Sequence, residues 1–254
     1  MKITVSLLLL LLLFTPYQSF AYKIGVVTDI HAGSNFVRDY RNKQNRSNIL
    51  YPKRYNKNLK KVLSDMKSQE VDIVVFNGDN NNKDTPSYAS NLLKMANASG
   101  MEALWVRGNH DLRKTSKYYF KCSYNISHYY VDRSGWRIIV LDSNYSKPNG
   151  WGGIDDPQVE WLKTVITEAT GSVIVFMHHP IFMINEKRPD EIYPGYTYLE
   201  SVLSASGKVQ YVISGHVHVL NQFSKSLNGV QYYTNIPLNL MGRIGSYQIL
   251  DLPE

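Results

Sequence analysis

One cysteine, Cys122, stands in 254 residues. That excludes a disulfide framework within the chain, so stability must come from an apolar core, with metal as the other available brace. Long apolar runs are nearly as scarce. Past the N-terminus, no stretch approaches the roughly twenty residues that a bilayer-spanning helix requires. Charged residues make up only 19% and apolar residues 43%, which excludes both a disordered polyelectrolyte and a polytopic membrane protein. Internal repeats and linker-like tracts are also missing, so the chain reads as one large domain.

The single long apolar run has a specific form. Met1-Lys2 is a short positive start, Ile3 to Phe14 is twelve apolar or small residues with seven consecutive Leu, and Ser19-Phe20-Ala21 is a small-x-small cleavage site. This pattern is that of a signal peptide at 1–21, leaving a domain at 22–254 and a secreted or periplasmic protein with no transmembrane anchor. No cysteine near the cleavage site could carry a lipid.

Behind that segment, short apolar runs recur at Lys23 to Thr28, Val71 to Phe76, Glu102 to Val106, Trp136 to Leu141, Val173 to Met177 and Val209 to Ile213. Each is the length of a buried strand. Helical patterns lie between them. Asp155-Asp156-Pro157 supplies an N-cap and a first-turn proline, and Val159, Leu162, Ile166 and Ala169 then mark one face up to Gly171. Further helices are expected from Thr85-Pro86 to Gly100, from Leu59 to Met66 and from Tyr198 to Ala205. Two hairpins are expected, across Arg133-Ser-Gly and across Asn228-Gly229. Strands alternating with helices predict an α/β fold with a largely parallel inner sheet, two sheets packed face to face and helices outside.

Polar residues fall in a pattern. Five strands end in Asp29-Ile30-His31, Asn77-Gly78-Asp79, Gly108-Asn109-His110-Asp111, His178-His179-Pro180 and Ser214-Gly215-His216-Val217-His218. In an open α/β sheet, ligands bind beyond the carboxyl ends of the strands, so these loops should converge on one crevice. Carboxylate, carboxamide and imidazole suit divalent ions such as Zn, Mn, Fe or Ni. The one-residue spacing in Asp29-x-His31 and His216-x-His218 is expected to bring both side chains to one side of an extended chain. Together the motifs point to a dinuclear centre.

In these motifs the sequence resembles the calcineurin-like metallophosphoesterases, over the stretch from Asp29 to His218. The resemblance implies a single-domain, four-layered α/β/β/α sandwich with two packed mixed sheets, and an enzyme that hydrolyses phosphoric esters. It implies that Asp29, His31, Asp79 and His218 hold one metal and that Asp79, Asn109, His178 and His216 hold the other, with Asp79 as the bridge. His110 would be the general acid, and Asp111 would orient its imidazole. The tyrosine that purple acid phosphatases place three positions after the bridging aspartate is replaced by Asn82, which argues against tyrosinate-ligated iron. Asn80 or Asn82 would take a local polar role, and His179 a role in substrate binding or loop support.

The segment Ala32 to Asn58 carries Arg38, Arg41, Lys43, Arg46, Lys53, Arg54 and Lys57 among Tyr40, Tyr51 and Tyr55. Beside a phosphoester site it would steer anions and offer an aromatic face to a nucleobase; a solvated basic excursion is the plainer alternative. Arg113, Asn149 to Gly153 and Asn185 to Gly195 are further pocket candidates. The net charge of +7 admits nucleic acid as a partner, yet no known nucleic-acid-reading motif is present. A small phosphorylated substrate is favoured, a metal- or phosphate-binding protein without turnover and an extracellular nuclease being the alternatives.

Overall fold

The computed structural model describes residues 21–33, 37–38, 49–50, 52–82, 85–111, 128–145, 152–182, 184, 192–193, 196–240 and 245–253. Residues 1–20, which hold nearly all of the expected signal peptide, lie outside this set, as do Arg113 and most of the segments 146–151 and 185–195. Among the described residues no helix is long and apolar enough to cross a membrane.

In chain order the elements are β1 (Tyr22–Val27), β2 (Val37–Arg38), β3 (Ile49–Leu50), α1 (Tyr55–Ser68), β4 (Ile73–Asn77), α2 (Pro86–Ser99), β5 (Glu102–Val106), β6 (Tyr129–Arg133), β7 (Trp136–Val140), α3 (Asp156–Glu168), β8 (Ser172–Phe176), α4 (Thr197–Ala205), β9 (Val209–Ser214), β10 (Phe223–Leu227), β11 (Val230–Thr234) and β12 (Gln248–Leu252). One sheet has the order β12-β1-β4-β5 and the other β10-β11-β9-β8-β7-β6. Four β-helix-β crossovers, through α1, α2, α3 and α4, join strands that pair in parallel.

Alternation along each strand explains the layers. Ile24, Val26, Ile73, Val75, Leu104 and Val106 of the smaller sheet meet Ile138, Val140, Ile174, Phe176 and Ile213 of the larger one in the central core. Their neighbours point the other way. Val27, Val74, Phe76 and Trp105 pack on Leu59, Val62, Met66 and Leu92 of the first two helices, while Ile139, Val173, Val175 and Val212 pack on Leu162, Ile166, Leu199 and Leu203 of the last two. Because both faces of the inner strands are buried, their sequences read as continuous apolar runs. Each fully buried Val, Ile or Phe contributes roughly 1.5–3 kcal/mol. The result is the four-layered α/β/β/α sandwich that the resemblance implied.

Local signals behave as the sequence suggests. The Asp155 carboxylate accepts the Gln158 backbone N–H at 3.1 Å and caps α3. Ser134-Gly135 and Asn228-Gly229 have positive φ at both positions, as a two-residue hairpin turn of type I′ requires. Two features were not anticipated. Strand β12 pairs antiparallel with β1 and closes the edge of the smaller sheet. The segment Ala32 to Asn58 is not one irregular excursion: β2 and β3 pair within it, and α1 begins at Tyr55, four residues before the expected start.

Candidate metal centre

The carboxyl ends of β1, β4, β5, β8 and β9 meet at one place. Asp29, His31, Asp79 and His218 offer ligand atoms within 4.8 Å of one another, and Asp79, His178 and His216 form a second such group. Asp79 belongs to both. The Nε2 atom of His178 lies 3.3 Å from Asp79 Oδ2, His31 Nε2 lies 3.5 Å from the same oxygen, and His218 Nε2 lies 3.3 Å from Asp29 Oδ1. All six residues are at least nine-tenths buried.

The backbone reaches this arrangement through strain, and not through extended chain as the one-residue spacing suggested. Asp29, His31, Asp79, His216 and His218 all have positive φ, between 46° and 70°. Non-glycine residues rarely adopt this region, and clusters of them mark functional sites. Hydrogen bonds hold the turns. The amides of Asp29, His31 and Ala32 donate to the carbonyls of Gly78, Asp79 and Asn80 at 2.8–3.0 Å, extending the β1–β4 pairing past the strands. Gly78 and Gly108 make the close approach feasible: a Cβ on Gly78 would lie 2.3 Å from His178 Nδ1, and one on Gly108 would lie 2.1 Å from the Asp79 nitrogen.

The donor set has the character of a metal site. His178 Nδ1 is 3.0 Å from the Asn77 carbonyl, to which it donates its proton. That turns Nε2 toward an Asp79 oxygen 3.3 Å away, where it can offer a lone pair to a cation or, without one, a proton to the carboxylate. The Nε2 atoms of His31 and His218 face each other at 3.2 Å. Lone pairs and carboxylates converging in a buried space repel one another unless cations lie between them. Fixing the far ring nitrogen on a carbonyl is also how metal-ligating histidines are oriented. Thr28 Oγ1 lies 2.7 Å from Asp29 Oδ2, and the His216 amide donates to the same oxygen at 3.0 Å. The His110 amide donates to Asp79 Oδ1 at 2.8 Å.

Electrostatics follow from burial and these neighbours. Burial alone would raise the pKa of Asp79, but the His178 charge and hydrogen bond outweigh it and hold the carboxyl well below its usual range. For His178, burial is opposed by Asp79 and Asp29, which push it up to about 9. In His31, burial wins over Asp79 and pulls it down to about 3. One imidazole thus prefers a proton and another refuses one, as expected where positive charge is to be shared among fixed ligands.

The calcineurin-like phosphoesterase family model matches residues 22–220. The chain belongs to that family. A probable cyclic nucleotide phosphodiesterase of Synechococcus sp. is 28% identical over 62% of this chain and 62% of its own length. A 3′,5′-cyclic-nucleotide phosphodiesterase of Nostoc sp. is 22% identical over 64% of this chain and 61% of its own length. Among solved structures, a dimetal phosphatase from Danio rerio superposes with a TM-score of 0.71 at 17% identity, covering 92% of this chain and 93% of that one. A purple acid phosphatase from Lupinus luteus reaches 0.57 at 14% identity over 93% of this chain and 47% of that one. At these identities the structural likeness concerns the fold.

Around these ligands the loops after β4 and β5 interlock. The Asp111 Oδ2 accepts the amides of Gly108 and Asn80, and its Oδ1 accepts the amide of Asn81. The carboxylate is a clasp between the loops after β4 and β5. Burial, and then Asp79, push it up to about 6. The His110 ring has Nδ1 3.5 Å from the Asn82 carbonyl and packs edge-on to His31 with centroids 4.8 Å apart. Asn109, unlike the other six expected ligands, is exposed in the same turn. Asn80 is buried and donates from its side chain to the Val106 carbonyl and to Asp111.

Of the adjacent histidines, His178 faces Asp79, while Ser143 Oγ lies 2.8 Å from His179 Nδ1 and accepts the His179 amide. Nothing in the sequence pointed to Ser143, 36 positions away. Tyr55, expected to face a nucleobase, is instead packed in the first helix with its hydroxyl accepting from Asn91. Lys53, Arg54 and Lys57 are exposed; Arg41, Lys43, Arg46, Tyr40 and Tyr51 lie outside the described residues. Tyr193 is buried, its amide bonded to the Ile181 carbonyl, so that part of the segment after His179 anchors in the core.

Proposed function

We propose that this phosphoesterase is an exported enzyme that uses two divalent cations, drawn from Mn, Fe, Zn and Ni, to hydrolyse a small nucleotide-like phosphoric ester. The sharing of Asp79 by two buried ligand groups carries this reading. Asp29, His31, Asp79 and His218 would hold one cation, and Asp79, His178, His216 and Asn109 the other. When bound, such a pair supplies positive charge to the phosphoryl oxygens and lowers the pKa of an attacking water.

The chain's own groups complete the reaction. The Asn82 carbonyl accepts from His110 Nδ1, which leaves Nε2 to deliver a proton to the departing alkoxide as its bond to phosphorus breaks. The water's oxygen forms the new bond to phosphorus. Asp111 keeps the turn bearing His110 clasped to the turn bearing Asp79. The formal charge of +6 on residues 22–254, the whole chain's +7 less Lys2, favours anionic substrates. The names of the Synechococcus and Nostoc relatives support cyclic nucleotides as the substrate class. The leader-like pattern of residues 1–21 supports export.

The test is to strip the protein of metal, restore Mn, Fe, Zn or Ni singly, and compare para-nitrophenyl phosphate, its bis ester and 3′,5′-cyclic nucleotides. Metal-dependent turnover with preference for the diesters is expected. Tight phosphate binding without turnover under any metal would make it a binding protein. Cleavage confined to oligonucleotides, with binding that weakens steeply in salt, would make it a nuclease. N-terminal sequencing of the exported product should begin at Tyr22.

A further inference from the structure

The turn that carries His110 is held from behind by a residue that no motif singles out. Arg107, the last residue before Gly108, extends its guanidinium across the gap between the two sheets. Nη1 donates to Asp142 Oδ2 at 3.0 Å, and Nε donates to the Asp111 backbone carbonyl at 3.2 Å. One end of this fork is therefore on the segment after β7 and the other on the far end of the His110 turn. Asn144 closes the arrangement from the same side, its Nδ2 donating to the Arg107 carbonyl at 3.0 Å and to Asp142 Oδ1 at 2.7 Å.

Asp142 is itself fixed. The Gln158 side chain accepts the Asp142 amide at 2.8 Å and donates to its carbonyl at 2.9 Å, and the Gln158 amide is the one capped by Asp155. A continuous hydrogen-bonded path thus runs from the N-terminus of α3 through Gln158, Asp142 and Arg107 to the carbonyl of Asp111. The ion pair is largely shielded, with 26% of the Arg107 side chain and 11% of the Asp142 side chain exposed. A shielded, two-point fork is the geometry in which arginine adds direction as well as charge.

We propose that the Arg107–Asp142 pair is a positioning device for His110, setting the distance between the proton donor and the leaving group while taking no part in metal binding. The proposal rests on the reading of His110 as proton donor. A misplaced donor matters most when the leaving alkoxide is a poor one, because a good leaving group departs without a proton. Loss of Asp142 or Arg107 should therefore depress kcat selectively and leave KM and metal content alone.

The experiment measures kcat and KM for aryl phosphodiesters graded in leaving-group pKa, with metal counted by mass spectrometry, in the metal-loaded enzyme. Variants are Asp142→Asn, Arg107→Lys, Arg107→Ala, His110→Ala and the double variant His110→Ala with Asp142→Asn. For Asp142→Asn and Arg107→Ala a fall of about tenfold or more is expected with the poorest leaving group and little with the best, a fraction of the roughly hundredfold that a general acid supplies. Arg107→Lys should recover part of it. In the His110→Ala background the Asp142 change should add nothing. A uniform fall across all leaving groups, a raised KM for Arg107→Ala, or an additive double variant would overturn the positioning role. A leaving-group-independent His110→Ala would instead overturn the proton-donor reading on which it rests.

Discussion

Replacing Gly108 with alanine places a methyl group where the structure has none to spare. The new Cβ would sit 2.1 Å from the Asp79 backbone nitrogen and 2.3 Å from Asp79 Oδ1, against 3.4 Å for ordinary contact. Relief requires a separation of about 1.3 Å between the two turns, taken from those same distances. That movement breaks the 2.8 Å bond from the His110 amide to Asp79 Oδ1 and displaces the one carboxylate common to both ligand groups. Overpacking of this kind costs about 1–3 kcal/mol. At ~2–4 °C per kcal/mol for a domain of this size, Tm should fall by roughly 2–12 °C. Misplacement of a reacting group by an ångström costs on the order of a hundredfold in rate, and both metals should bind more weakly. The assay is metal titration followed by mass spectrometry, with melting and turnover on the same samples. Gly229→Ala is the control, since its positive φ carries strain but no atom lies within 4 Å; it should cost about 1–2 kcal/mol and leave the metals in place. A Gly108→Ala protein with two tightly bound metals and full turnover would refute the steric argument.

Other outcomes follow from the same geometry. Ser143→Ala removes the hydroxyl shared by the His179 amide and ring; a loss of about 1–3 kcal/mol is expected in denaturant titrations, with both metals retained. Chelation should abolish turnover and lower Tm, because cations at a hundred times their Kd stabilise by about 2.7 kcal/mol; an unchanged melting curve after verified metal removal would count against a metal centre. The metal-free protein should lose stability as pH rises from about 6.5 to 9. His178 has its folded pKa raised from 6.5 to about 9, so its contribution is complete below about 6.5 and fades as pH rises toward 9. His31 is lowered from 6.5 to about 3, which is destabilising on acidification as the unfolded chain takes up the proton first, while Asp111, raised from 3.8 to about 6, gains stability over much of the same range, so the acid side should change little down to about pH 5. Urea titrations from pH 5 to 9 would detect this, and a flat profile above 6.5 would contradict the His178 environment.

Much of this was readable before any coordinates. The strands announced themselves because both faces are buried, so residues 73–76 and 173–176 are unbroken apolar runs, and their polar ends fell at one edge of the sheets by topology. Strand β12 did not, because Gln248–Leu252 is an edge strand of mixed burial whose ladder partner among the described residues lies more than two hundred positions away. The site's ligands were visible as motifs, but their conformation was not: alternation describes extended chain, and five of these residues sit in left-handed turns instead. The clasp made by Asp111 was equally silent, since two of the three backbone amides that reach its carboxylate, those of Asn80 and Asn81, lie about thirty positions away. Ser143, Arg107 and Gln158 act through contacts across 16 to 36 positions, for which a single sequence carries no signal.

The measurement that bears most directly on the central claim is the metal count of Asp79→Asn beside that of the unaltered protein, at saturating cation and with folding verified by circular dichroism. Two cations per chain should fall to none or to a weakly held one, since both ligand groups lose a shared carboxylate. A folded Asp79→Asn protein that still holds two cations at unaltered affinity would show that the two groups do not meet at this residue.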